Sequence, residues 1–357
     1  MIIKRKIIML TSVVALSNLV TQASAMEVID KKLEIYSKIH MSIDSVSADN
    51  PAANNNEGLS VSSNSSRLGF KGELPAGAFK FVYQFEQELF LDEGTGALAD
   101  RNTFAGLKGS FGRIIVGHHD TPFKDVASKW GIFGDSVGER RAILGAGFSN
   151  GNQMNERAKN AIMYEYKTKQ IRFQLLTAVD PEDTSDGTYD DNNKKVTSLG
   201  LSYRTGSVWI AVGYEAWKQH SKIADGDALR IAAHYKVMGA LQLGLIYESI
   251  NSDTVDEWKR DIVGFNALYK LSNTNDIRIQ YLVADDADNS PDTGATKASI
   301  GFYHKLDKKA KVYIAYGATT NESNAAYQGV DGGHGDEIKT ANGGNPSSVS
   351  VGLIYKF

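Results

Sequence analysis

The chain ends on Val349-Ser350-Val351-Gly352-Leu353-Ile354-Tyr355-Lys356-Phe357. Val349, Val351, Leu353, Tyr355 and Phe357 alternate with Ser350, Gly352, Ile354 and Lys356. A strand shows each face at every second residue, so this segment has one apolar face and one mostly polar face. A soluble domain usually trails off in a frayed polar end, whereas this apolar row runs to the terminal Phe357. The expectation is a closing strand whose apolar row faces lipid.

The other terminus is consistent with export. Lys4, Arg5 and Lys6 precede an apolar run over 7–20, and Ala23-Ser24-Ala25 follows it. Basic segment, apolar core and small-residue site together predict a secretory signal peptide cleaved after Ala25. Residues 1–25 are then the leader and 26–357 the mature domain. Ser12, Ser17 and Asn18 interrupt the run, which is too short to span a bilayer comfortably. No later segment offers the roughly 18–20 continuous apolar residues of a membrane helix.

Composition narrows the class further. The chain has no cysteine, so stability must come from backbone closure or a large core. Its formal charge is −3, and losing Lys4, Arg5 and Lys6 takes it to about −6, which argues against a nucleic-acid partner. Thirty-four Gly against 6 Pro, with 16 Tyr and 14 Phe, suit strands and turns. The mean hydropathy of −0.29 is compatible with a membrane barrel, because such a barrel hides half of every strand from lipid.

The period of two recurs throughout. Leu33, Ile35, Ile39, Met41 and Ile43 oppose Glu34, Tyr36, Lys38, His40, Ser42 and Asp44. Phe79, Phe81, Tyr83 and Phe85 oppose Lys80, Gln84 and Glu86, and Val312, Ile314 and Tyr316 oppose Lys311 and Tyr313. Filling the gaps predicts 16 strands, near 32–44, 65–74, 77–89, 101–109, 110–118, 157–167, 170–179, 196–205, 207–217, 227–237, 240–250, 259–271, 275–284, 296–306, 310–319 and 347–357. Many run about ten residues, enough to cross a bilayer when tilted. Tight turns such as Pro75-Ala76-Gly77 and Met238-Gly239 alternate with long polar stretches, among them 45–64, 119–156 and 320–346. Short turns at one rim and long loops at the other are how transmembrane barrels are built. The predicted fold is an all-β, 16-stranded antiparallel barrel. A secreted sandwich would share the alternation but has no reason to sort its loops this way.

Several segments resemble the general (non-specific) porins of Gram-negative outer membranes. Tyr36-Ser37-Lys38 is similar to that family's first strand, and 66–73, Ser-Arg-Leu-Gly-Phe-Lys-Gly-Glu, to its second. Residues 104–112 followed by Val116-Gly117-His118 resemble its fourth and fifth strands, and 157–164 the strand after its third loop. The resemblance implies a trimer in the outer membrane with short periplasmic turns, long extracellular loops and a water-filled pore narrowed by an inward-folded third loop. The implied partners are lipid and lipopolysaccharide, the barrel assembly machinery, ions and small hydrophilic solutes. No cofactor is implied, and terminal Phe357 would be an assembly signal.

The loop at 119–156 fits that role by its own composition. Phe123, Val126, Trp130, Ile132, Phe133, Ile143 and Leu144 are too apolar for a loop standing in water, and a loop this long is uncommon unless functional. The resemblance places Lys38, Arg67, His118 and Arg157 on the basic side of a constriction, with His118 where the family usually has Arg. As a histidine it would change charge near neutral pH. Asp120, Asp125, Asp135 and Glu139 are the loop carboxylates that would face them; Ile132 stands where the enteric motif has Glu. Opposed charges across a low-dielectric mouth make a field that orders water, admits polar solutes and biases ion selectivity.

The function expected is passive diffusion. Alternatives are a substrate-specific channel, or a barrel acting mainly as an adhesin or anchor through loops 45–64 and 320–346. Enzymatic activity is not expected, because none of the seven His residues sits beside a G-x-S-x-G motif. The acidic groups Asp180, Glu182, Asp183, Asp186, Asp190, Asp191 and Asp285, Asp286, Asp288 lack EF-hand spacing and read as solvated charge.

Overall fold

The computed structural model describes residues 26–49, 57–146, 154–181, 194–218, 225–253 and 258–357. The expected leader lies outside them, as do residues 147–153 of the third loop and the acidic run from Glu182 to Asp191.

Sixteen strands form the wall. They are β1 Leu33–Ser47, β2 Arg67–Ala76, β3 Phe79–Phe90, β4 Thr103–Gly109, β5 Gly112–Asp120, β6 Arg157–Lys167, β7 Ile171–Val179 and β8 Lys195–Thr205. They continue as β9 Val208–Lys218, β10 Gly226–Val237, β11 Leu241–Ser252, β12 Trp258–Lys270, β13 Asn275–Ala284, β14 Ala295–Lys305, β15 Ala310–Asn321 and β16 Ser347–Lys356. Each pairs antiparallel with its sequence neighbours, and β16 pairs with β1 from Ser347↔Ser47 to Lys356↔Lys38. The ring closes on the last residue: Ser37 N donates to Phe357 O (3.0 Å) and Phe357 N to Ser37 O (3.2 Å). Closure leaves no open edge, the condition for a sheet in hydrocarbon.

Three short strands were not expected from the sequence. Met26–Ile29 pairs with the start of β1, Gly58–Ser63 with its far half, and Thr95–Ala97 with the end of β3. The second pairing carries β1 on to Ser47, past the expected end at 44.

Alternation sorts the two faces. Ile43, Phe70, Phe81, Phe85, Leu107, Val116, Ile162, Ile314 and Val351 are exposed on the outside. Lys38, His40, Ser42 and Asp44 of β1 are buried on the inside. Among the described residues no helix is long and apolar enough to cross a membrane; strands make the crossing.

Two long loops fold into the lumen. After β5 comes helix α1, Pro122–Trp130. Thr121 caps it by accepting from Lys124 N (3.3 Å), Pro122 occupies its first turn, and Asp125 and Lys129 complement its dipole. Its Val126, Ala127 and Trp130 pack with Ile143 and Leu144 against Trp209, Ala211, Ile246 and Leu282 of the wall. The second loop, 322–346, joins β15 to β16 and buries Tyr327, Val330 and Ile338.

Candidate functional site

Wall side chains hold the third loop by its backbone. Arg230 Nη1 donates to Phe123 O (2.9 Å), and Asn266 Nδ2 donates to Trp130 O (3.0 Å). Arg278 Nη1 donates to Ile132 O (2.5 Å), and Gln280 Nε2 to Gly138 O (3.0 Å). In return, Phe123 N donates to Ser198 Oγ (3.0 Å) and Gly145 N to Glu248 Oε1 (2.6 Å). The loop therefore lies along β8 to β14, and its Ile132, Phe133, Val137 and Asp135 reach across to β15, β16 and β1.

A cavity of about 400 Å3 remains between the loop and the facing wall. Ten cationic side chains line it: Lys38, Arg67, Arg101, Arg157, Arg278, Lys311 and Lys356 from the wall side, and Lys124, Arg140 and Arg141 from the loop. Three carboxylates face it, those of Asp120, Asp125 and Asp135. Local charge is thus strongly positive in a chain whose formal charge is −3.

Asp135 is the bridge between loop and wall. It sits at φ 62° after Gly134, a left-handed turn that an Asp adopts more readily than most residues. The turn puts one carboxylate oxygen 2.5 Å from Lys38 Nζ and the other 2.9 Å from Arg141 Nη2. Burial alone would raise this carboxyl, but the Lys38 and Arg141 charges outweigh it and hold the group well below the usual carboxylate range. Asp120 lies 2.9 Å from Lys124 Nζ and 3.2 Å from Arg157 Nε. Asp125 pairs with Lys129 (3.0 Å) and with Arg172.

The structure brings together Lys38, Arg67, Arg157, Asp120, Asp125 and Asp135 around one cavity. Two of the expected residues stand elsewhere. Glu139 is fully buried behind the surface, 2.6 Å from Arg140 Nη1 and 2.9 Å from Arg141 Nε. It orients two lining arginines and does not line the cavity itself. His118 pairs across the sheet with Thr103, beside a register irregularity between Gly117 and His119, and does not line the cavity. The lumen-side histidine is its neighbour His119, whose ring lies 5.4 Å from that of buried Phe104.

Sequence reading missed Arg101, Lys124, Arg140, Arg141, Arg278, Lys311 and Lys356. Lys311 and Lys356 carried a signal, since each alternates with an apolar row. Their meeting across β15, β16 and β1 depends on a register no single segment contains.

The last loop touches the same site. Arg141 Nη1 donates to Gly332 O (2.6 Å). His334 Nε2 lies 3.1 Å from Asp44 Oδ2, both side chains having no exposed surface. Gly335 N donates to Asn64 Oδ1 (3.0 Å), and a Cβ on Gly333 would overlap the Arg141 guanidinium.

Comparison with known proteins agrees with this architecture. The family model for Gram-negative porins matches residues 8–325. A major outer membrane protein P.IB of Neisseria meningitidis serogroup B is 23% identical over 188 residues, covering 52% of each chain. Another P.IB protein of that serogroup is 20% identical over 269 residues, 71% of this chain and 76% of the relative. The chain spans about half the length of the first curated relatives it matches. Among solved structures, the anion-selective porin from Comamonas acidovorans superposes with TM-score 0.74 at 19% identity, covering 91% of this chain and 99% of that one. Salmonella typhi OmpF in complex with daunomycin gives 0.65 at 15% identity, covering 91% and 97%. The chain belongs to the Gram-negative porin family.

Proposed function

We propose that the protein is an outer-membrane diffusion channel for ions and small hydrophilic solutes, and that it favours anions. The observation that carries this reading is the cavity between loop and wall, with ten cationic side chains against three carboxylates. Even after adding Glu86, Glu88, Glu139 and Asp276, which pair with lining arginines from behind, positive groups outnumber negative ones. Fixed charge around a narrow aqueous passage selects ions by sign and needs no energy source.

Family and fold both favour a channel over an enzyme. Proteoliposomes carrying the protein should swell in isotonic solutions of small sugars, and swelling should slow steeply with solute size. Absence of swelling with folded protein would overturn the channel reading.

The remaining expectations complete the proposal. The leader is removed after Ala25, which amino-terminal sequencing of the mature protein tests. Phe357 serves assembly by the barrel machinery, and its deletion should lower folded protein in the membrane. The barrel is a homotrimer set in lipid and lipopolysaccharide, and a strictly monomeric mass in mild detergent would contradict that.

A further inference from the structure

The lining cations are unequal. Lys38 has Asp135, Arg101 has Glu86 and Glu88, Arg157 and Lys124 share Asp120, and Arg278 has Asp276. Lys311 and Lys356 have no carboxylate partner among the described residues. The nearest aromatic contact of Lys311 is the Tyr303 ring, 5.7 Å from its Nζ.

These two lysines are neighbours. Lys311 pairs with Ile354, so Lys356 is its diagonal neighbour two residues on, and Lys356 pairs directly with Lys38. Lys38 in turn pairs with Arg67. Four cations thus stand on four adjacent strands, on one face, at one level of the lumen. Directly opposed side chains start about 5 Å apart and diagonal ones about 7–8 Å apart. Like charges at that spacing repel. Asp135 relieves Lys38, and Glu86 approaches Arg67 at 3.7 Å. The charge on Lys311 and Lys356 is left for the lumen to balance.

We propose that Lys311 and Lys356, flanked by Arg67, form a binding site for compact dianions with oxygens on several sides, the chemistry shared by phosphate and sulfate. Two flexible ammonium groups from adjacent strands can converge on one such ion, and a guanidinium can take two of its oxygens side by side. A monovalent anion balances only one of the two lysines and leaves faster. The site rests on the anion-favouring reading above and makes it discriminating: dianions pause where chloride passes.

The test is the chloride current through single channels in planar bilayers, with inorganic phosphate added at constant ionic strength and pH 8 and with acetate as the monovalent control. Phosphate should reduce the current at millimolar concentration and acetate should not. In K311Q/K356Q the half-blocking phosphate concentration should rise at least tenfold. K236Q/K305Q removes two exposed lysines elsewhere and should block like wild type. If the double variant yields no folded barrel, K311Q and K356Q singly should each raise the half-blocking concentration severalfold. Equal block in wild type and the lysine variants, or no phosphate block in wild type, overturns the site. A reversal potential of cation-favouring sign in wild type would overturn the underlying reading separately.

Discussion

The two loops inside the barrel do similar jobs with opposite sequences. The third loop advertises itself: Phe123, Val126, Trp130, Ile143 and Leu144 recur through it, and the structure buries them all against the wall. The last loop, with Gly329, Gly332, Gly333, Gly335 and Asp331 around His334, reads as a solvated surface excursion. It nevertheless packs inside, because three apolar side chains and one buried His–Asp pair suffice once its glycines permit close approach. An apolar loop is held by area as well as hydrogen bonds, a glycine-rich one by a few polar contacts. The first should be the firmer of the two.

The largest effect should come from cutting the third loop's anchor. Arg230 is fully buried, donates 2.5 Å to Glu248 Oε2 and 2.9 Å to Phe123 O, and stacks 3.8 Å over the Phe123 ring. Arg230→Ala leaves Glu248 buried without its counter-charge, a loss of about 3–5 kcal/mol. The folded band on unboiled gels should collapse at a clearly lower temperature, and conductance should rise as the loop detaches.

His334→Ala attacks the other loop and should cost less, about 2 kcal/mol, because Ser42 still donates to Asp44 at 2.8 Å. Conductance should rise less than in Arg230→Ala, with ion preference kept. A larger change than that of Arg230→Ala would reverse the ranking of the two loops.

Smaller effects probe the charges the loops present. Asp135→Asn removes the carboxylate between Lys38 and Arg141, so the anion-to-cation permeability ratio should rise about two- to fivefold, modest because salt and water screen the lumen. Lys124, on α1, is buried, which pushes its ammonium down to about 8 against the pull of Asp120. Its proton leaves as pH rises through that value and the constriction loses a positive charge, so anion preference should weaken between pH 7 and 9. Lys124→Arg stays charged and should show a flatter profile. His118→Gln should leave reversal potential unchanged across pH 5.5–7.5, since His118 does not line the cavity; a clear shift would place it there.

The sequence carried the wall and the first of these loops for one reason. Both are written in local periodicity, where Phe79, Phe81 and Phe85 or Val349, Val351 and Leu353 declare a face without knowledge of any partner. What stayed hidden depends on pairing. Lys311, Lys356, Lys38 and Arg67 are far apart along the chain and become a row only through the β15–β16–β1–β2 register. Likeness to a motif points to His118, and a motif gives no sign that the cavity lining excludes it. Glu139 looks like a lining acid in the sequence because a carboxylate in a loop gives no sign of the arginines that bury it.

On the proposed reading, the constriction's positive charge, and not the chain's negative total, governs what passes. Reversal potential across a tenfold KCl gradient in a planar bilayer at pH 7 measures this directly. The expected potential has the sign given by chloride moving down its gradient faster than potassium. A potential of the opposite sign, from folded wild-type protein, would contradict it.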